Sequence, residues 1–135
     1  MSVYNVLNKA IQTKLEASAG LFALLAKRIY YLQAPAGRTL PYVIYSHYGG
    51  GPDNINPSDM HNNLVYVRGY ADNQQLSGSI DYQCYLALHK QTLSVVGYTN
   101  FATFREMDVP PLVEHTDRGE DIYSSGGVYR IRLTD

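Results

Sequence analysis

The sequence predicts an α+β fold, a small and largely antiparallel sheet of four to five strands with two main helices packed on one face. Three observations carry that expectation. Apolar side chains recur at three- and four-residue spacing in two stretches, the first from Val3 to Leu15 and the second from Leu76 to Leu88. Several shorter runs rich in Val, Ile and Tyr read as strands. Most of those runs are separated by turns rather than helices, and strands joined by turns pair antiparallel.

The first helix follows Ser2, whose hydroxyl is placed to accept an orphan N–H of the first turn. Val3, Val6, Leu7, Ala10, Ile11 and Leu15 form its apolar stripe. Ser18, Ala19 and Gly20 should end it, with Gly20 free to take the left-handed conformation of a helix end. Residues 21–26 are apolar nearly all round and suit one further buried turn of helix. Residues 28–32 read as a strand and residues 34–41 as the connection after it. Pro41 favours extended backbone before it and leads into residues 42–48, the clearest strand in the chain. Residues 49–63, rich in Gly, Pro, Asn, Asp and Ser, read as a long loop. Residues 64–71 form a strand with Leu64, Tyr66, Arg68 and Tyr70 on one face and Val65, Val67 and Gly69 on the other. Asp72 or Asn73 opens the second helix, and Asp72 with Gln75 is a variant capping box. Leu76, Ile80, Cys84, Ala87 and Leu88 are its buried stripe. Residues 101–107 form a strand, residues 108–121 an acidic loop containing Pro110 and Pro111, and residues 128–133 the last strand. In that last strand Tyr129, Ile131 and Leu133 face in, and Arg130 and Arg132 face out.

The chain has 135 residues, and we read residues 1–135 as a single domain. A chain of this length hides roughly two-thirds of its unfolded surface and needs no disulfide or metal staple. Cys84 is the only cysteine, which rules out an intramolecular disulfide and a thiolate metal cluster. The polar residues scattered through the first sixteen positions do not form a secretory signal, and residues 21–26 are too short to cross a bilayer, so a soluble protein is expected with no membrane partner.

Net charge is −1, unevenly spread. Residues 1–52 carry Lys9, Lys14, Lys27, Arg28 and Arg38 against Glu16. Residues 106–121 carry Glu106, Asp108, Glu114, Asp117, Glu120 and Asp121 against Arg118. Neither stretch has the dense basic clustering that neutralises several phosphates, which argues against sequence-specific nucleic-acid binding.

No motif in the sequence carries catalysis. His47, His61, His89 and His115 lack the local pairing of helical zinc sites. Ser77-Gly78-Ser79 and Ser124-Ser125-Gly126-Gly127 do not match the serine elbow. Cys84 lies on an apolar stripe, where burial raises a thiol's pKa and makes it inert. Gly49, Gly50 and Gly51 follow a strand without the Lys-Ser/Thr of a phosphate cradle. Thirteen tyrosines with no tryptophan stand out instead. They are too many for so small a core, and Tyr serves both sheet surfaces and protein interfaces.

The order of an amphipathic helix, Arg28-Ile29-Tyr30, Pro41-Tyr42-Val43-Ile44-Tyr45, Val65-Tyr66-Val67-Arg68-Gly69-Tyr70, a helix with Leu86-Ala87-Leu88 and a last strand Val128-Tyr129-Arg130-Ile131-Arg132 resembles the tail-completion (tail-terminator) proteins of long-tailed bacteriophages. The resemblance spans the chain and lies in pattern and order. It implies a non-enzymatic virion subunit without a cofactor. Such a subunit forms a ring with copies of itself, a hexamer, at the head-proximal end of the tail tube, stops tube polymerisation and meets a neck or head-completion protein. DNA passes through such a ring without being read. On that reading the cationic N-terminal third, with Lys27, Arg28 and Arg38, meets the acidic segment of the next subunit, with Glu114, Asp117, Glu120 and Asp121. Tyr48, Asp53, Asn54 and Asp59, in or beside the Gly/Pro-rich loop, contact the tube or line the channel. The alternatives are another phage neck or head-completion protein, a small hydrolase whose His and carboxylates converge in space, and a dimeric ligand-binding module with a deep apolar pocket.

Overall fold

A computed structural model describes residues 2–52, 60–116 and 118–134. Three helices, α1 (Val3–Glu16), α2 (Ala19–Leu25) and α3 (Gln74–Leu88), accompany five strands, β1 (Ile29–Tyr31), β2 (Tyr42–Pro52), β3 (Met60–Ala71), β4 (Thr99–His115) and β5 (Asp121–Thr134). The strands form one sheet in the order β1-β2-β3-β5-β4. The α+β class is as the sequence predicts. Only β1 runs parallel to its neighbour, with Ile29 opposite Val43; the other pairs are antiparallel.

One face of this sheet takes all three helices, and the period-two alternation of the strands decides which. Register places Tyr45 beside Val67, Val67 beside Gly127 and Val65 beside Tyr129, so the odd-numbered residues of β2, β3 and β5 share a face. Those positions meet Leu7, Ile11 and Leu15 of α1, Leu21 and Leu25 of α2, and Ile80, Cys84 and Leu88 of α3 in one core. Each fully buried Leu or Ile contributes about 1.5–3 kcal/mol relative to exposure. The Tyr45 hydroxyl adds a polar tie, donating to Gln12 Oε1 at 2.8 Å and placing α1 on β2. Burial pushes its pKa up to about 12.

Helix ends differ from the sequence expectation in two places, and at α3 the structure decides between the two openings the sequence offered. Ser2 occupies the N-cap position of α1 but its side chain makes no cap hydrogen bond; the helix is held by its buried stripe. Gly20 does not end α1. The helix stops at Ala17 in right-handed conformation, and Ser18 starts α2 by accepting the Leu21 N–H at 3.3 Å. Gly20 lies inside α2 where α3 comes close, and a Cβ there would stand 2.0 Å from the Gln83 side-chain Oε1. At α3, Asn73 is the cap, its Oδ1 accepting from Leu76 N at 2.8 Å, while Asp72 accepts from the Asn73 amide.

Two expected loops are strands over most of their length. Within 49–63, Gly49, Gly50, Gly51 and Pro52 pair with Leu64, Asn63, Asn62 and His61 beyond a bulge after His47. Gly50 sits at φ +107°, and a Cβ there would meet Asn62 O at 2.1 Å, so the glycine serves the bulge rather than a loop. Residues 53–59, including Asp53, Asn54 and Asp59, lie outside the described residues. Residues 108–115 likewise continue β4, with Leu112 opposite Ser124 and Glu114 opposite Ile122. Pro110 and Pro111 fall inside a register shift between Val109 and Leu112 on an edge strand, where the missing N–H costs no ladder bond. A turn closed by Thr116 N donating to Glu120 O at 2.8 Å joins β4 to β5.

Glycines on the sheet mark where it is tightest. A Cβ at Gly69 would lie 2.5 Å from Ile80 Cγ2 of α3, and one at Gly126 would lie 2.4 Å from the Val67 carbonyl oxygen, whereas Gly49 and Gly51 face open space. Urea denaturation should therefore show Gly69→Ala and Gly126→Ala destabilised by about 1–3 kcal/mol, with Gly49→Ala and Gly51→Ala nearly unchanged. Equal effects at all four would contradict this packing.

Candidate functional site

The charged residues singled out from the sequence that the structure describes fall either beside β1 or around the β4–β5 hairpin. At the β1 edge, Lys27 is exposed in the turn between α2 and β1. Arg28 follows it half-buried, its Nε donating to Pro41 O at 2.8 Å. Arg38 is exposed in the connection between β1 and β2. At the β4 edge, Glu114, Glu120 and Asp121 are exposed around the tip of the β4–β5 hairpin. Asp117 is outside the described residues. Tyr48 belongs to neither edge: it stands exposed on β2, its ring 6.4 Å from that of Tyr66.

The sheet face without helices is aromatic and cationic. Tyr42 and Tyr70 lie 5.4 Å apart, and the Arg68 guanidinium sits 4.9 Å from the Tyr66 ring and 6.0 Å from that of Tyr70. Arg130 forks onto Glu106 at 2.8 and 3.2 Å and reaches Asn62 at 2.6 Å. That hydrogen bonding holds the Glu106 carboxyl below its ordinary value. Burial raises the Tyr42 hydroxyl's pKa, and the charges of Tyr70 and of Glu114 at the hairpin raise it further.

A groove of about 510 Å³ runs between α3 and β4, a feature the sequence reading missed. Its floor is Arg105, which donates to both Asp81 oxygens at 3.0 Å and to Gly126 O at 2.9 Å, and pairs with Asp108 at 2.7 Å. Burial disfavours the guanidinium's charge, but the Asp81 hydrogen bonds and the nearby carboxylates outweigh it and leave the pKa raised. Gly127 makes room for this group, since a Cβ there would stand 2.5 Å from Arg105 Nε. The glycine pair 126–127 within a strand was the signal of such an approach.

The histidines and the cysteine are placed for packing. His47 Nε2 lies 2.7 Å from Asn8 Oδ1 with Tyr4 edge-on to its ring, and burial lowers its pKa. His89 Nδ1 accepts the Arg105 N–H at 3.0 Å while its ring stacks on Tyr85. His61 sits edge-on to Tyr98. His115 contacts the Asp121 carboxylate, but at the exposed hairpin tip rather than in a groove. Cys84 is buried in the core, and burial pushes its thiol pKa well up. Among the described residues no group of three His, Cys, Asp or Glu side chains is arranged to hold a metal ion, and no helix is long and apolar enough to cross a membrane. What the arrangement offers chemically is contact area with charge at its margins.

Two measurements check these placements. Arg105→Ala strands the Asp81 carboxylate, and a loss of about 3 kcal/mol is expected, with Arg105→Lys recovering little because Lys lacks the fork; a neutral Arg105→Ala would contradict the anchoring role. His47 holds a proton less tightly folded than unfolded, so the unfolded state gains protons first. The stability present at neutral pH should fall as pH drops below the ordinary value of 6.5 towards the lowered folded value. His47→Gln should flatten that part of the pH–stability curve, and an unchanged slope would refute the assignment.

Neither a protein-family model nor a curated protein sequence matches the chain. Among solved structures, a chain from the virion of a native gene transfer agent particle is similar, with a TM-score of 0.77 and 16% sequence identity, over 99% of this chain and 98% of that one. At that identity the likeness is one of fold, and it extends over practically the full length of both chains.

Proposed function

We propose that this chain is a non-enzymatic structural protein of a phage-like virion. As one domain it forms a ring, a hexamer, at the head-proximal end of a tail tube, ends tube polymerisation and joins the tail to the head. Its partners are copies of itself, the tail tube protein and a neck or head-completion protein. It is assembled in the host cytoplasm and resides in the tail or neck of the particle, and DNA passes through without specific binding.

The observation that carries this reading is the full-length likeness to a chain of a gene transfer agent virion. The distribution of charge supports it. Lys27 and Arg38 lie by the β1 edge, and Glu114, Glu120 and Asp121 by the β4 edge. Complementary patches on opposite edges suit a heterologous contact, which repeats from copy to copy and closes into a ring when the rotation allows. The contact is solvent-exposed, so it is sensitive to salt, with screening over roughly 8–10 Å at ordinary ionic strength.

Electron microscopy of particles lacking the protein tests the assignment. Overlong or headless tails are expected; filled heads without tails would reassign the protein to head completion. In solution, light scattering should report less assembly at high salt and after charge reversal at Glu114 and Asp117, and indifference to both would remove the electrostatic contact. Replacing residues 53–59 with a short Gly-Ser turn should preserve the fold and abolish capping of tail tubes, whereas unchanged capping would exclude that segment from the tube contact.

A further inference from the structure

We propose that the groove between α3 and β4 is the socket for the α2–β1 corner of a second copy, with Phe22 entering between its walls and Lys27 meeting Asp108 at its rim. This rests on the ring reading above and specifies the contact by which neighbours join.

The socket is preformed. Tyr82 and Tyr85 stack on one wall with rings 6.4 Å apart and nearly parallel, and Pro110 and Pro111 stiffen the other. Gly78 lies along the groove with nothing within 4 Å of the position its Cβ would take, which leaves the depth open. Tyr82 is 57% exposed, a large aromatic surface left open to solvent. Charge selects what enters. Arg105 faces two carboxylates, Asp81 and Asp108, and Asp81 spends both oxygens on it. The Asp108 side chain is 85% exposed and keeps one oxygen for a cation arriving from outside.

The α2–β1 corner presents a matching plug. Phe22 is 55% exposed on α2, and Lys27 follows one turn later. Between them Ala26, a non-glycine residue, is held at φ +54° while its N–H bonds Phe22 O, and Arg28 N bonds Leu25 O. Lys27 is exposed at this tight, strained turn, and backbone strain of that kind concentrates at functional sites. An aromatic anchor in a pocket with a charge pair at its rim is the arrangement that concentrates binding energy in protein interfaces. Plug and socket lie on opposite flanks of α3, since α2 packs beside Gln83 whereas the groove is lined by Gln74, Gly78, Asp81 and Tyr85. Each copy therefore keeps one free plug and one free socket until a ring closes.

Sedimentation velocity of the full chain tests the contact. Lys27→Asp and Asp108→Asn should each weaken self-association about tenfold or more. Gly78→Leu is the control for folding: it improves helix propensity and fills the groove, so the variant should melt no lower than the parent yet lose its multimers. If the parent assembles and all three variants assemble equally well, this docking is wrong while the ring survives. If the parent remains monomeric both alone and on tail tubes, the ring reading fails and the docking with it.

Discussion

The Arg105 guanidinium ties the far edge of the sheet to the helix layer. It joins Asp81 on α3, Asp108 further along β4 and the backbone of Gly126 on β5, with the rings of Tyr85 and Tyr129 within 6 Å. Each of its neighbours is shaped by it. Gly127 is bare because the guanidinium occupies the space of a side chain, and His89 turns its ring nitrogen to the Arg105 amide. A charge this enclosed is tolerable because two carboxylates and the Gly126 carbonyl surround it. The same contacts fix the angle between α3 and β4, and so the width of the groove they enclose.

That arrangement explains what the surface is left to do. The helices cover one face of the sheet, and the other face carries Tyr42, Tyr66, Tyr70 and Arg68, already packed on one another. Desolvation favours the neutral forms of the buried Cys84 and Tyr129 and of the half-buried His47. Groups with exposed charge sit at the edges. A protein built this way presents polar-aromatic surface and separated charge.

Much of the architecture was legible in the sequence because burial writes itself as periodicity. The stripe of Leu7, Ile11 and Leu15, the alternation of Val65 and Val67 with Tyr66 and Arg68, and that of Tyr129, Ile131 and Leu133 with the two arginines each name the buried face. The hidden parts are where composition and pairing disagree. Gly49 to Pro52 and Val109 to His115 have the residues of loops, yet long-range partners on β3 and β5 hold them as strand. The Arg105–Asp81 bridge links residues 24 apart on different elements, with no local pattern to announce it. Charge asymmetry along the chain was visible; that the two signs lie at opposite sheet edges depends on strand order, which only the fold supplies.

The central claim is that this chain is an assembling subunit rather than a self-sufficient one. Negative-stain imaging of the purified protein addresses it directly. The account predicts closed rings with a central hole wide enough for a DNA duplex. Isolated monomers or two-fold dimers without a hole, at concentrations where the protein stays folded, would contradict it.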